Sequence, residues 1–137
     1  MNNSFEIYGG IPLNGEVTPQ GAKNEALQII ASTLLTKEKV TIHNIPDILD
    51  VRTLIELVQD LGVIVERLSS NSYSFLADNI NLEYLISPEY KKKSGKLRGA
   101  VMLAGPFLAR FKKAYIPQPE IYSIGCVVLF YRRLHLQ

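Results

Sequence analysis

Residues 21–43, GAKNEALQIIASTLLTKEKVTIH, decide the fold, because a helical pattern gives way to an extended one within this stretch. From Asn24 to Thr36, apolar residues recur three and four positions apart, which predicts a helix with one wide apolar face. Residues 39–43 are rich in β-branched side chains and predict a strand. A helix that leads directly into a strand indicates an α/β fold. The predicted apolar face consists of Ala26, Leu27, Ile29, Ile30, Thr33 and Leu34.

A second helix and a pair of strands follow along the chain. Asp50 is predicted to cap the start of this helix, and Gly62 lies where a left-handed C-terminal cap belongs. Residues 63–67 and 73–77 then predict two strands around the polar turn 69–72. The apolar stripe predicted for the helix consists of Val51, Leu54, Ile55, Val58 and Leu61.

The rest of the pattern lies on either side of this centre. Residues 5–18 alternate in polarity between glycines and prolines, which predicts two short strands joined by a tight turn. Residues 78–95 are predicted to form mostly loop. A third helix is predicted over residues 96–111, bent at Gly105–Pro106, and a strand over residues 113–117. The residues predicted to point inward from this helix are Val101, Leu103, Ala104 and Leu108.

The two outer helices are similar in one respect, which indicates an internal repeat. Lys23 and Arg98 each stand at the start of a predicted helix, and a strand returns after nearly the same interval in both cases. We therefore expect a fold built from repeated α/β units.

Composition limits the class of protein. The chain has 137 residues, of which 47% are apolar, and this suits one modest globular domain. A net charge of +2 is too small to indicate nucleic acid as a partner, and no apolar run approaches the ~18 residues of a membrane helix. Cys126 is the single cysteine, so an internal disulfide and a multi-cysteine metal site are excluded. Because the N-terminus also lacks a signal-peptide pattern, the cytoplasm is the expected compartment.

The most informative local motif is residues 21–25, GAKNE. The first N–H groups of a helix have no partner within the helix, and together with the helix dipole they favour a bound anion. Lys23 would add a full positive charge at this point, and Asn24 could offer its amide. The predicted ligand is a phosphate or a carboxylate. The alternative interpretation makes Lys23 a surface lysine and Asn24 the N-cap of the helix.

Four other residues have side chains that could take part in chemistry. Arg98 lies beside small residues, where its planar guanidinium could bind a phosphate or carboxylate, although it could equally lie on a helix surface. Arg110 is interpreted as a charge at a helix end that interacts with the last carbonyls. His43 is interpreted as a hydrogen-bonded structural histidine. The apolar neighbours of Cys126 favour an inert, buried thiol.

Several blocks of this sequence belong together as one pattern. They include residues 13–17, LNGEV, residues 21–27, GAKNEAL, and residues 40–46, VTIHNIP, and the pattern returns in residues 97–100, LRGA, and residues 104–111, AGPFLARF. In order and without a large gap, these blocks resemble the UDP-N-acetylglucosamine 1-carboxyvinyltransferase family of enolpyruvyl transferases. The resemblance covers roughly the first 119 residues.

The resemblance implies a fold, a reaction and a set of site residues. The fold is a domain shaped as an inside-out α/β barrel of repeated units. The reaction transfers enolpyruvate from phosphoenolpyruvate to the 3-hydroxyl of UDP-N-acetylglucosamine, without a metal or organic cofactor. It is the first committed step of cytoplasmic peptidoglycan synthesis, and so belongs to cell wall biogenesis, cell shape, the cell cycle and cell division. By position, Lys23 and Asn24 would contact phosphoenolpyruvate, and Arg98 would hold UDP-N-acetylglucosamine.

The sequence also departs from the family pattern. The family carries an acid on a glycine-rich mobile loop, and counting back from Ile124-Gly125 puts Tyr122 at that position. Cys126 lies beyond it, so no catalytic residue of the lid is expected to be intact. Residues 120–137 form a divergent tail without a family match.

Length is the second departure, because members of the family have two similar domains with the substrates between them. Residues 1–20 are expected to pack with the C-terminal domain, and residues 21–119 to form part of the first domain. The second domain, expected in cis, would be missing, and the chain alone is expected to be inactive. Two alternatives remain open: a fragment like 5-enolpyruvylshikimate-3-phosphate synthase, and a noncatalytic small α/β remnant.

Overall fold

The computed structural model describes residues 4–10 and 12–116. The α-helices are α1 (Lys23–Ser32), α2 (Leu49–Asp60), α3 (Pro88–Lys96) and α4 (Ala104–Phe111). The strands are β1 (Val40–Ile42), β2 (Ile64–Arg67) and β3 (Tyr73–Leu76). Three short 3₁₀ helices span Thr33–Leu35, Tyr84–Ile86 and Arg98–Leu103. The α/β class predicted from the sequence is therefore confirmed.

The three strands form one antiparallel sheet in the order β1-β3-β2. Val40 of β1 and Val65 of β2 both stand opposite Phe75, which lies at the middle of β3 and is fully buried. The turn between β2 and β3 is closed by the N–H of Leu68, which donates to the carbonyl of Ser72 at 2.8 Å. The predicted pair of strands on either side of a polar turn is confirmed.

The core lies where α1 and α2 pack against each other and against the 3₁₀ helix Arg98–Leu103. Ile30 and Leu54 are fully buried at this contact. The predicted face of α1 is correct except at Ile29, which is partly exposed. Ile29 lies about 100° around the helix from Ile30, so it falls at the edge of the face rather than in it. Gly62 ends α2 with a φ of 98°, as predicted.

Helix α3 occupies a region that the sequence predicted as loop, and that prediction is wrong. Ser87 caps the helix, because its hydroxyl accepts a hydrogen bond from the N–H of Tyr90 at 3.1 Å. Pro88 occupies the first helical position, where its missing N–H removes no hydrogen bond. Three consecutive lysines gave the segment the polarity of a loop, whereas the buried Tyr90 holds it against the core.

The predicted third helix is divided into separate pieces. Lys96 ends α3, and Leu97 has an extended backbone, so the chain starts again as the 3₁₀ helix Arg98–Leu103. The change to α-helix occurs at Ala104, before the Gly105–Pro106 pair. Three of the four inward positions differ from the prediction.

Val101 is exposed, whereas the inward direction of Leu103 is confirmed. Ala104 and Leu108 are only partly buried, and the buried residue of α4 is Phe107. A 3₁₀ helix turns through about 120° per residue, so the inward set predicted from a continuous α-helix could not hold along the whole segment.

The strands predicted near the two ends of the described region are absent from residues 4–10, 12–20 and 113–116. Phe5 and Leu13 are 95% and 99% exposed. A strand needs a neighbour to satisfy its N–H and C=O groups, and within residues 4–10 and 12–116 no other strand lies alongside these segments. At the other end, Lys112 adopts a left-handed conformation with a φ of 58° that closes α4. Among the described helices, none is both long and apolar enough to cross a bilayer.

Candidate functional site

A cavity of about 600 Å³ lies between the starts of α1, α2 and the 3₁₀ helix Arg98–Leu103. It contains all three residues that the sequence proposed as ligand contacts, although Arg98 is far from the other two along the chain. The lining residues are Lys23, Asn24, Leu27, Gln28, Asp50, Arg98, Gly99 and Met102. The tertiary structure therefore brings two cations and one carboxylate together.

The start of α1 is fixed by a close backbone contact at Gly21. A Cβ atom on Gly21 would lie 2.0 Å from the carbonyl oxygen of Asn44, so any larger residue would collide with backbone. Ala22 is the N-cap residue, and no side chain caps the helix there. The interpretation of Asn24 as the N-cap is wrong, because Asn24 is the second residue of the helix. Lys23 and Asn24 thus lie in the first turn, where the helix dipole favours negative charge.

Asp50 is the cavity residue that the sequence misassigned. It lies inside the first turn of α2, and the cap position belongs to Ile48, whose backbone is extended. The carboxylate of Asp50 forms an ion pair with the ammonium of Lys23, and the two side chains are 41% and 50% exposed. An aspartate near a helix start follows a common capping pattern, so the local sequence gave no signal of this long-range pair.

The position of Arg98 depends on small residues at its own helix start. A Cβ atom on Gly99 would lie 2.8 Å from a methyl carbon of Leu27, so the glycine lets this segment approach α1 closely. Ala100 is fully buried behind it. Arg98 itself is exposed at the cavity. The small residue at position 99 therefore lets the segment that carries Arg98 lie close to α1.

Arg110 has a different role from the one that its sequence position suggested. Its guanidinium donates hydrogen bonds to the carbonyls of Leu34 at 2.9 Å, Thr36 at 3.1 Å and Asp78 at 3.3 Å. These carbonyls belong to other segments, not to the end of α4, so Arg110 joins three parts of the fold. The interpretation of His43 is confirmed, since its Nδ1 lies 3.0 Å from the hydroxyl oxygen of Ser72.

The chemistry available in this cavity is the binding of an anion by a helix start, a lysine, an amide and an arginine. No cluster of metal-ligating side chains occurs in residues 4–10 or 12–116. Two residues discussed from the sequence, Tyr122 and Cys126, lie outside the described residues. Gln28 and Met102 line the cavity and were not predicted, because neither residue type distinguishes a site from a surface.

Comparisons with known proteins agree with the resemblance seen in the sequence. UDP-N-acetylglucosamine 1-carboxyvinyltransferase of Bacteroides fragilis is 57% identical to this chain over 122 residues. The proteins of the same name from Bacteroides thetaiotaomicron and Porphyromonas gingivalis are 56% and 51% identical over the same length. Each match covers 89% of this chain but only 28% of the relative. The chain therefore spans less than a third of the length of these relatives, and the resemblance is confirmed over that part.

A model of one protein family matches residues 7–119, and this range contains every residue that lines the cavity. The description of that family is EPSP synthase (3-phosphoshikimate 1-carboxyvinyltransferase). Because the match extends over most of the sequence, the chain belongs to the EPSP synthase family.

Proposed function

We propose that this chain forms one side of the substrate site of a UDP-N-acetylglucosamine 1-carboxyvinyltransferase. The observation that carries the proposal is the cavity in which Lys23, Asn24 and Arg98 meet, within a region 51–57% identical to proteins of that name. The substrates would be phosphoenolpyruvate and UDP-N-acetylglucosamine. Both are anions, which suits a site with two cations at a helix start.

The proposed roles follow from the chemistry of these side chains. Lys23 and Asn24 would bind phosphoenolpyruvate, the lysine through its charge and the asparagine through its amide. Arg98 would hold UDP-N-acetylglucosamine, because its planar fork can donate two parallel hydrogen bonds to a phosphate. No metal or organic cofactor is required, and nucleic acid is not an expected partner.

The reaction places these demands on the site. A proton adds to the methylene carbon of phosphoenolpyruvate while the sugar 3-hydroxyl oxygen bonds to the second carbon and loses its own proton. Phosphate then leaves this tetrahedral intermediate, and loss of a proton from the new methyl group restores the double bond. Negative charge must be held and then released at the reacting centre, which is the work of positioned cations.

The proposal extends to the architecture of the whole enzyme. Residues 21–119 would be part of a first domain, an inside-out α/β barrel of repeated units, and residues 1–20 would pack with a second domain in cis. The exposure of Phe5 and Leu13 supports this assignment, because such residues normally have a partner surface. The biological setting would be peptidoglycan synthesis in the cytoplasm, with consequences for cell shape and division.

We expect no catalysis from these 137 residues alone. Tyr122 stands where the family has its lid acid, and the second half of the cleft would have to come from elsewhere. A phosphate-release assay with phosphoenolpyruvate and UDP-N-acetylglucosamine should give the rate of a blank without protein. Turnover clearly above that blank would contradict this part of the proposal.

Ligand binding can be tested without turnover. Titration of the ¹⁵N-labelled chain with phosphoenolpyruvate should shift the amides of residues 21–26, with millimolar or weaker affinity. Lys23→Ala should abolish these shifts, because it removes a charge-assisted contact of about 1–3 kcal/mol. Lys39→Ala is the matched control, since Lys39 also pairs with a carboxylate, Glu66, but lies outside the cavity. Shifts that persist in Lys23→Ala would show that the proposed contact is wrong.

A second candidate, a fragment like 5-enolpyruvylshikimate-3-phosphate synthase, draws support from the description of the matching family. The names of the relatives at 51–57% identity favour the UDP-sugar enzyme. The same titration separates the two, because shikimate 3-phosphate should shift the amides around Arg98 only in the second case, and UDP-N-acetylglucosamine only in the first.

A further inference from the structure

We propose that Asp50 is a positioning residue that acts as an internal counter-ion for Lys23, and that an anionic ligand must displace it. In the absence of ligand, its carboxylate would hold the lysine ammonium at the cavity. The part of this inference that concerns the ligand rests on the proposed function, whereas the ion pair itself does not.

The position of Lys23 explains why it needs a counter-ion. Lys23 is the first residue of α1, so its positive charge lies close to the positive end of the helix dipole. Asp50 lies in the first turn of α2, where a negative charge is stabilised by the dipole of its own helix. The carboxylate is thus well placed whether or not it is paired, while the lysine depends on an anion nearby.

The pair is exposed enough to be displaced. Both side chains are about half exposed, and ion pairs of this kind stabilise a protein only slightly. A phosphate or carboxylate that entered the cavity could therefore take the place of Asp50 beside Lys23, and the free energy lost with the ion pair would be small. The charge of Lys23 would be balanced by Asp50 when the site is empty, and would become available only to a competing anion.

Among the ion pairs of the described region, the Lys23–Asp50 pair is distinguished by lying in the cavity. The pairs Lys39–Glu66, Arg52–Asp47, Lys93–Asp60 and Lys37–Asp78 involve no residue of the cavity. Two of them serve as controls. Asp47 is close to Asp50 in sequence but outside the cavity, and Glu66 pairs with Lys39 in the same way that Asp50 pairs with Lys23.

The first test uses no ligand. The carboxylate of Asp50 holds the Lys23 amino group in an ion pair, and a group held in this way is less accessible to an acylating reagent. Mass spectrometry of the partly acetylated chain should show Lys23 reacting at least about twofold faster in Asp50→Asn, with Lys39 unchanged. Glu66→Gln should speed the acetylation of Lys39 and leave that of Lys23 unchanged. Asp50→Glu should restore the slow reaction at Lys23. An unchanged Lys23 rate in Asp50→Asn would overturn the counter-ion role.

The second test adds inorganic phosphate and measures how far it protects Lys23 from acetylation. Asp50→Asn should lower the phosphate concentration for half protection roughly two- to fivefold, the range expected for an exposed pair. Asp47→Asn should leave this phosphate concentration unchanged, because this substitution removes a nearby negative charge without freeing Lys23 from its ion pair. Equal effects of Asp50→Asn and Asp47→Asn would mean that Asp50 only repels phosphate as any nearby carboxylate would. That result would overturn the proposal that Asp50 and phosphate compete for Lys23. If phosphate never protects Lys23 although Asp50→Asn speeds its acetylation, the proposed function fails and the ion pair stands.

Discussion

The replacement Arg110→Met should destabilise the fold strongly, although Arg110 has no place in the cavity. The guanidinium accounts for three hydrogen bonds, to the carbonyls of Leu34, Thr36 and Asp78. The first two carbonyls lie at the end of the 3₁₀ helix that continues α1, where helix carbonyls lack partners within the helix. Methionine keeps most of the apolar stem and removes only the donors.

The magnitude follows from the number and exposure of these bonds. A hydrogen bond to a charged group contributes about 1.5–3 kcal/mol when its loss leaves a buried partner unsatisfied. The bond to Asp78 is longer and exposed, so it adds little, and the two part-buried bonds dominate. We therefore expect a loss of about 2–4 kcal/mol. With a urea m-value of about 1–2 kcal/mol/M for a chain of this size, the midpoint should fall by at least about 1 M.

Urea unfolding followed by circular dichroism measures this directly. Arg52→Met is the matched control, because Arg52 is an exposed arginine whose ion pair is with the single carboxylate of Asp47. An exposed pair contributes at most about 1 kcal/mol, so the control should unfold near the wild type. Equal midpoints for Arg110→Met and Arg52→Met would refute the assignment of Arg110 as the residue that joins three segments.

Three further predictions concern folding and association. Gly21→Ala should lower the urea midpoint and weaken phosphoenolpyruvate binding together, because its methyl group would collide with the Asn44 carbonyl; unchanged values would refute the contact. Light scattering should detect oligomers, since Phe5 and Leu13 are exposed, and a monodisperse monomer would contradict this. Burial raises the pKa of Tyr90 in the folded state. The neutral phenol therefore contributes its full stabilisation of the fold below the ordinary tyrosine pKa of about 10, and this contribution is lost as pH rises through the higher folded pKa. Alkaline unfolding should therefore lessen in Tyr90→Phe, and an unchanged pH profile would exclude the role.

The sequence by itself determined the local elements that rest on short-range physics. The 3.6-residue period over residues 24–36 and the left-handed cap at Gly62 needed no knowledge of the rest of the chain. The same holds for the two strands around the turn at residues 69–72. The sequence also contained a cap for α3 in Ser87 and Pro88, but three lysines hid it, because their polarity does not distinguish a helix surface from a loop.

Only the tertiary structure decided the composition of the cavity and the role of the arginines. Lys23 and Asp50 meet because α1 packs on α2, and no local pattern encodes which side chains such packing brings together. For the same reason, the carbonyls that accept hydrogen bonds from Arg110 lie on other segments of the chain. The N-terminal residues show the converse case: their alternating pattern predicts strands, but a strand forms only beside a partner that can accept its hydrogen bonds. Propensity is a property of a segment, whereas hydrogen-bond partners are a property of the whole fold.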